Sequence, residues 1–240
     1  KMKLADLFNE GVNDPGIFKA VFLAGGPGSG KSFVGSEVFA IPSANSFSPA
    51  GLKVVNSDPE FEYFLKKQGI DPKTLGKMTD KQFQKVTTGP ESPREKAKRI
   101  KDAKEKLYVH GRLGLLIDGT GDDYAKIKKK VVELRKLGYD CYMIFVNTSL
   151  EVALERNAAR DRVLPEKLVT KIWKDVQKNI GRFQGLFKGQ MIIIDNSDRV
   201  VVKSGKPTFG KVVDRMIKQF VNSPIKSKIA KNWIKSQRGK

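Results

Sequence analysis

Eight consecutive residues, Gly25-Gly26-Pro27-Gly28-Ser29-Gly30-Lys31-Ser32, carry the groups needed to hold a phosphate. Closely spaced glycines let the backbone curl until its N–H groups converge on an anion. The spacing from Gly25 to Gly30, then Lys31 and Ser32, is that of a phosphate-binding loop. Its flanks agree. Ala20 to Ala24 is an apolar run that reads as a buried parallel strand. Phe33, Val34 and Val38 come next at helical spacing. A helix starting there adds partial positive charge and unpaired donors. Lys31 would reach the β- and γ-phosphates of a bound nucleotide, and the Ser32 hydroxyl would hold Mg2+. Gly25, Gly28, Ser29, Gly30, Lys31 and Ser32 are therefore the nucleotide-binding candidates. A plain glycine-rich turn would not need a strand before it and a helix after it.

Two carboxylates stand where such a site needs them. Leu52 to Asn56 reads as a second strand ending in Ser57-Asp58-Pro59, and Leu113 to Asp118 as a third ending in an acid. Ligands of open parallel sheets bind beyond the carboxyl ends of the strands. Asp58 is a candidate catalytic carboxylate, although a residue before proline could equally cap a helix. Asp118 is placed to hold Mg2+, directly or through water, near Ser32. Thr120 lies beside it as a candidate substrate contact. Farther on, Arg156, Arg160 and Arg162 precede Pro165. On a helix Arg156 and Arg160 would share a face. Guanidinium groups suit the charge spread over a phosphoryl group in transfer. The same segment could also be a surface helix with Glu155 and Asp161 as ion-pair partners.

Further elements are needed to position these groups. Tyr139 to Val146 and Met191 to Asp195 read as a fourth and a fifth strand, with helices between all of them. The region from about 59 to 112 reads as a charged helical insertion. Ser92 caps its longest helix, which runs to about His110. Asp122 to Leu137 reads as a helix closed by Gly138, and Glu166 to about Phe183 as another, with Leu168, Ile172, Val176 and Ile180 on its core stripe. The fold class is α/β: a five-stranded, mostly parallel sheet with helices on both faces, a helical insertion and an arginine-rich lid at about 156 to 165. Residues 1–221 form the main domain. Residues 222–240 form a basic tail that could bind nucleic acid, a membrane surface or a partner, or pack on the domain.

Composition sets the outer bounds. The chain has 240 residues, 39% of them hydrophobic, enough for one sizeable core. The formal charge is +20 and the pI near 9.9, which favours polyanions or reflects a solvated lysine-rich surface. No apolar run reaches the length of a membrane span, and no apolar leader precedes the first strand, so cytoplasmic placement is expected. The single Cys141 cannot form an internal disulfide and lies in an apolar run, in keeping with a packing role. One histidine, His110, without cysteines nearby argues against a zinc-type site.

Val55-Asn56-Ser57-Asp58, Ile117-Asp118-Gly119-Thr120 and Arg156-Asn157-x-x-Arg160 with Val163-x-Pro165, added to the loop, resemble the polynucleotide kinase and zeta-toxin group of P-loop kinases over residues 19–196. The resemblance implies the P-loop NTPase fold, ATP and Mg2+. It also implies transfer of the γ-phosphate to a hydroxyl group. It makes Asp58 the general base and Arg156 and Arg160 the lid residues that polarise the phosphates, with Arg162 a weaker candidate. In that group an arginine commonly follows the aspartate by about three positions and engages the acceptor. Here Glu60-Phe61 occupies that place. Arg94 or Arg99, from the insertion, are the candidates to replace it. The acceptor expected is a nucleic acid or nucleotide. The alternatives are a toxin-like kinase of nucleotide sugars, and a nucleic-acid-binding ATPase that grips its polymer through the aromatic-basic tail.

Overall fold

Five apolar segments pair as one sheet: β1 (Lys19–Ala24), β2 (Lys53–Val55), β3 (Leu115–Asp118), β4 (Asp140–Asn147) and β5 (Met191–Asp195). The computed structural model describes residues 11–31, 34, 51–160, 162–197 and 208–238, with the backbone alone for 208–214. The strand order is β2-β3-β1-β4-β5, and every pairing is parallel. The sheet is thus wholly parallel, where the sequence suggested mostly.

Alternation along the central strands explains the layering. Ala20, Phe22 and Ala24 of β1 and Cys141, Met143 and Phe145 of β4 feed one core. Val21 and Leu23, with Tyr142, Ile144 and Val146, feed the other. A strand buried on both faces must be apolar throughout, which is why β1 and β4 read as continuous hydrophobic runs. Burial also pushes the Cys141 thiol up to about 12, in keeping with a packing role.

Helices cover both faces. Between β2 and β3 stand α1 (Asp58–Lys67), a 3-10 turn (Pro72–Lys77), α2 (Asp80–Thr87) and α3 (Pro93–His110). They enclose a small core of their own, made of Phe61, Leu65, Leu75, Val86 and Ala97. Local signals start these helices. Thr79 forms a reciprocal capping box with Gln82, and Ser92 accepts from Glu95 N at 3.3 Å. The 3-10 turn has no counterpart among the expected elements, since six residues are too short for periodicity. Then come α4 (Tyr124–Lys136), α5 (Leu150–Ala158), α6 (Glu166–Phe187), α7 (Thr208–Asn222) and α8 (Lys228–Arg238). On α6 the buried apolar stripe is Val169, Val176, Phe183 and Phe187; Ile172 and Ile180 flank it, and Leu168 is not part of that core.

The basic tail is not an appendage. Ala230 of α8 is fully buried against Gly138, and Trp233 packs edge-on against Phe18 with ring centroids 5.5 Å apart. Arg112 lies over the Trp233 ring at 5.9 Å. Just before α8, Ser223 accepts from the buried Lys19 Nζ at 2.9 Å, and the same ammonium pairs with Asp140 at 2.8 Å. Trp233 is therefore half-buried and packs against the core. Among the described residues no helix is long and apolar enough to cross a membrane.

Trp233 sits at the amino end of β1, about 20 Å from the loop at its carboxyl end. Trp233→Ala is expected to lower stability by about 2–3 kcal/mol, read by denaturant unfolding, and to leave nucleotide affinity unchanged.

Candidate active site

The glycine-rich loop leaves β1 directly and is held from several sides. Gly25 N donates to the Thr120 carbonyl at 3.0 Å. Gly25, Gly28 and Gly30 all have positive φ (152°, 77° and 88°), a region that glycine enters without steric cost. A Cβ on Gly28 would collide with the Ala153 backbone, and one on Gly30 with the Asn196 amide. A helix begins at once: Val34 N donates to the Gly30 carbonyl at 3.0 Å. Ser32, the expected metal ligand, Phe33 and residues 35–50 lie outside the described residues. Lys31 Nζ donates to the Gly25 carbonyl at 2.5 Å. Burial holds its pKa below the usual lysine value against the pull of Asp118 and Asp58. Ser29 Oγ is buried with no hydrogen-bond partner among the described residues.

Parallel pairing brings both carboxylates to this loop. β3 lies between β2 and β1, with Asp118 level with Leu23 and Ile117 level with Val55. Asp118 therefore stands between the loop and the turn that carries Asp58. Asn56 joins the two: its side-chain amide donates to Asp118 Oδ2 at 3.0 Å, and its Oδ1 accepts from Asp58 N at 2.9 Å. Asp118 Oδ1 is buried without a partner among the described residues. Burial pushes the Asp118 carboxyl up to about 6 although Lys31 opposes it, and the nearby Asp58 adds to the rise. A buried, unpaired carboxylate oxygen beside a phosphate loop fits a hard cation that takes most of its other ligands from phosphate and water. Thr120 gives its carbonyl to Gly25, and its hydroxyl bonds Asp122.

Asp58 is not a helix cap. Helix α1 begins at Asp58 itself, after Ser57 in the cap position, and the Asp58 carboxylate faces two arginines. Arg162 makes a two-pronged pair, Nη1 to Oδ1 at 3.0 Å and Nη2 to Oδ2 at 2.5 Å. Arg94 donates to Oδ1 at 2.9 Å. Both guanidinium groups lie over the Phe61 ring, at 5.8 Å and 5.2 Å. Burial raises the Asp58 carboxyl, but the bonds and charge of Arg162, then Arg94, outweigh it and hold the group well below the usual carboxylate range. Arg99 turns elsewhere, to the Pro90 carbonyl at 2.7 Å and toward Glu91.

The lid differs from the expected helix face. α5 stops at Ala158, so Arg160 lies beyond it and shares no helical face with Arg156. The buried Asn157 causes the stop. Its side chain donates to the Leu164 carbonyl at 2.8 Å and accepts from Leu164 N at 3.1 Å, closing the segment between them into a loop. Within that loop Arg162 reaches Asp58, while Arg160 is near enough to Lys31 and Asp118 to perturb both. Val163 packs against Gly76 of the 3-10 turn, so the lid rests on the insertion. Arg156 donates to the Asn196 carbonyl at 2.8 Å, and Asn196 in turn donates to the Ser29 carbonyl at 2.8 Å.

Asn56, Asn157 and Asn196 thus organise the site; Asn56 and Asn157 fall within the quoted motifs without a role assigned to them, and Asn196 lies in none. A signal existed for two of them. Asn56 and Asn196 each come directly after the last residue of a strand, where a short amide can bond a neighbouring strand end.

No family model and no curated protein matches the chain. Among solved structures, the chain is similar to a provisionally assigned kinase of Chloroflexus aurantiacus, with TM-score 0.54 and 10% identity over 84% of this chain and 97% of that one. It is also similar to a chain of the PezAT toxin-antitoxin system of Streptococcus pneumoniae (TM-score 0.49, 16% identity, 98% and 93% covered). A third likeness is to a chain of the Pnkp1/Rnl/Hen1 RNA repair complex (TM-score 0.45, 19% identity, 69% and 46% covered). The first of these likenesses shows the fold, a parallel α/β sheet with helices on both faces.

The loop and the clasped carboxylate can each be tested. Gly28→Ala forces the loop backbone off Ala153 and is expected to weaken binding of an ATP analogue by about tenfold or more, measured by calorimetry. The folded Asp58 carboxyl titrates below its ordinary 3.8, so its contribution to stability is complete above that value and is lost as pH falls through and below it. Thermal melts between about pH 4 and pH 2 should therefore fall more steeply for the native chain than for Asp58→Asn.

Proposed function

We propose that this chain transfers the γ-phosphoryl group of ATP to a hydroxyl group of a nucleic acid or nucleotide. The observation that carries the reading is the meeting of Lys31, Asp118 and Asp58 beyond the carboxyl ends of three adjacent strands, with Asn56 linking the carboxylates. A phosphate loop alone binds a nucleotide. A second carboxylate near it, turned toward the lid, supplies what a hydroxyl acceptor requires.

In this reading the loop amides and Lys31 hold the β- and γ-phosphates, and Arg156 and Arg160 face the γ-phosphoryl group from the lid side. Ser32 and Asp118 are the residues that would hold Mg2+, which when bound neutralises charge developing on the phosphates. Asp58 takes the proton of the acceptor hydroxyl as its oxygen bonds to the γ-phosphorus, and the bond to the β–γ bridging oxygen breaks to release ADP. Arg94, on the Asp58 carboxylate and over Phe61, is the cation nearest the acceptor side. Its place beside the base and the charge of +20 favour an anionic acceptor.

The test is label transfer from γ-labelled ATP to DNA ends, RNA ends, nucleosides and nucleotide sugars. Transfer to a DNA end, an RNA end or a nucleoside is expected; transfer to a nucleotide sugar alone would favour the toxin-like alternative. Asp58→Asn should lower transfer by about 100-fold or more while ATP still binds. Transfer that survives in the variant would remove Asp58 as base, and label found in free phosphate alone would point to an ATPase.

A further inference from the structure

The base of the proposed reaction is engaged before any substrate arrives. A carboxylate clasped by two guanidinium groups is a poor proton acceptor, because a proton must displace charge-assisted hydrogen bonds. Arg94 and Arg162 come from different elements, α3 and the lid. Arg94 is in the first turn of an eighteen-residue helix. Arg162 is in a short loop whose two ends are held together by the bonds of Asn157 to Leu164.

Arg162 is also incompletely satisfied where it stands. Its Nε is buried without a hydrogen-bond partner among the described residues, with Glu62 Oε1 3.9 Å away. Arg160 sits close enough to repel it. Both Arg160 and Arg162 lie near enough to Lys31 of the phosphate loop for their charges to act on it. A triphosphate there would offer a doubly charged terminal group, which suits a planar guanidinium better than a single carboxylate does.

We propose that Arg162 is a positioning residue that latches Asp58 until nucleotide arrives: the terminal phosphate of ATP draws Arg162 off the carboxylate and so frees the base. The inference rests on the kinase reading and adds an order to it. Arg94 stays on Oδ1 and keeps the carboxylate aimed, while the prongs of Arg162 on Oδ1 and Oδ2 let go. The acceptor hydroxyl then meets a competent base when the donor is in place. In the free protein Asp58 is kept from activating water beside the loop.

The experiment tracks the Arg162 guanidinium itself. In nitrogen-15 arginine-labelled protein, the Arg162 Nε–H resonance is assigned by its loss in Arg162→Lys. In the free protein, Asp58→Asn should shift it. With the Mg2+ complex of β,γ-imido-ATP bound, the native resonance should move and no longer respond to Asp58→Asn. A resonance that still senses position 58 with nucleotide bound overturns the latch.

A second measurement does not depend on spectral assignment. Because Asp58 competes with phosphate for Arg162, Asp58→Asn should tighten imido-ATP binding by about tenfold in the native background. In the Arg162→Gln background the gain should shrink to about the simple relief of charge repulsion, roughly twofold. Equal gains in the two backgrounds overturn the proposal. Neither result depends on phosphoryl transfer. Failure to bind imido-ATP at all would instead overturn the phosphate-loop reading.

Discussion

Everything at this site depends on one packing constraint: the loop after β1 is wedged where no side chain fits. A Cβ on Gly25 would meet the Val146 carbonyl of β4, one on Gly28 the backbone of α5, and one on Gly30 the amide of Asn196 beyond β5. Three elements from later in the chain thus press on the short backbone segment between Gly25 and Gly30. The contacts confine the loop backbone between β4, α5 and the turn after β5. Confining a loop otherwise free in solution costs conformational entropy, at about 1–2 kcal/mol per residue. The neighbours that do the holding also carry chemistry. The last turn of α5 carries Arg156 and leads into Arg160, and Asn196 bonds both Arg156 and Ser29.

The sheet order turns that local constraint into a site. β1 must be central because it pairs on both sides, with β3 and with β4. Parallel strands all end on the same edge, so the turns leaving β2 and β3 are delivered beside the loop leaving β1. Asp118 and Asp58 meet Lys31 for this reason, although the two acids are separated in the chain by the whole insertion. The insertion encloses a core of its own and still anchors at the site, through Asp58 at the start of α1 and Arg94 at the start of α3.

What was legible in the sequence tracked the strength of local rules. β1 and β4 stand out because double burial demands unbroken apolar runs, and β5 is legible to the residue from Met191 to Asp195. The helix start at Ser92 was legible because capping is a bond between residues three apart. The end of α5 was not. Helical periodicity continues through Arg160, and the helix is stopped by the side chain of Asn157 bonding Leu164. The tail is deceptive for a similar reason. Its lysines are local and visible, but the Phe18 ring that receives Trp233 is more than 200 residues away. Arg162 on Asp58 is the same kind of fact, since an ion pair across 104 positions leaves no periodic trace.

The sequence departs from the group it resembles just after Asp58, and the fold answers that departure through space. Where an arginine would follow the aspartate, Phe61 stands, and its buried ring supports the guanidinium groups of both Arg94 and Arg162. The aromatic face is weakly attractive to cations and leaves their N–H edges free to bond the carboxylate. One fixed cation in sequence is thereby replaced by two from separate elements, one on a long helix and one on a stapled loop. Arg162 bonds both oxygens of the carboxylate and Arg94 one, so two partners from distant parts of the chain share the group that the local sequence alone would leave without a cation.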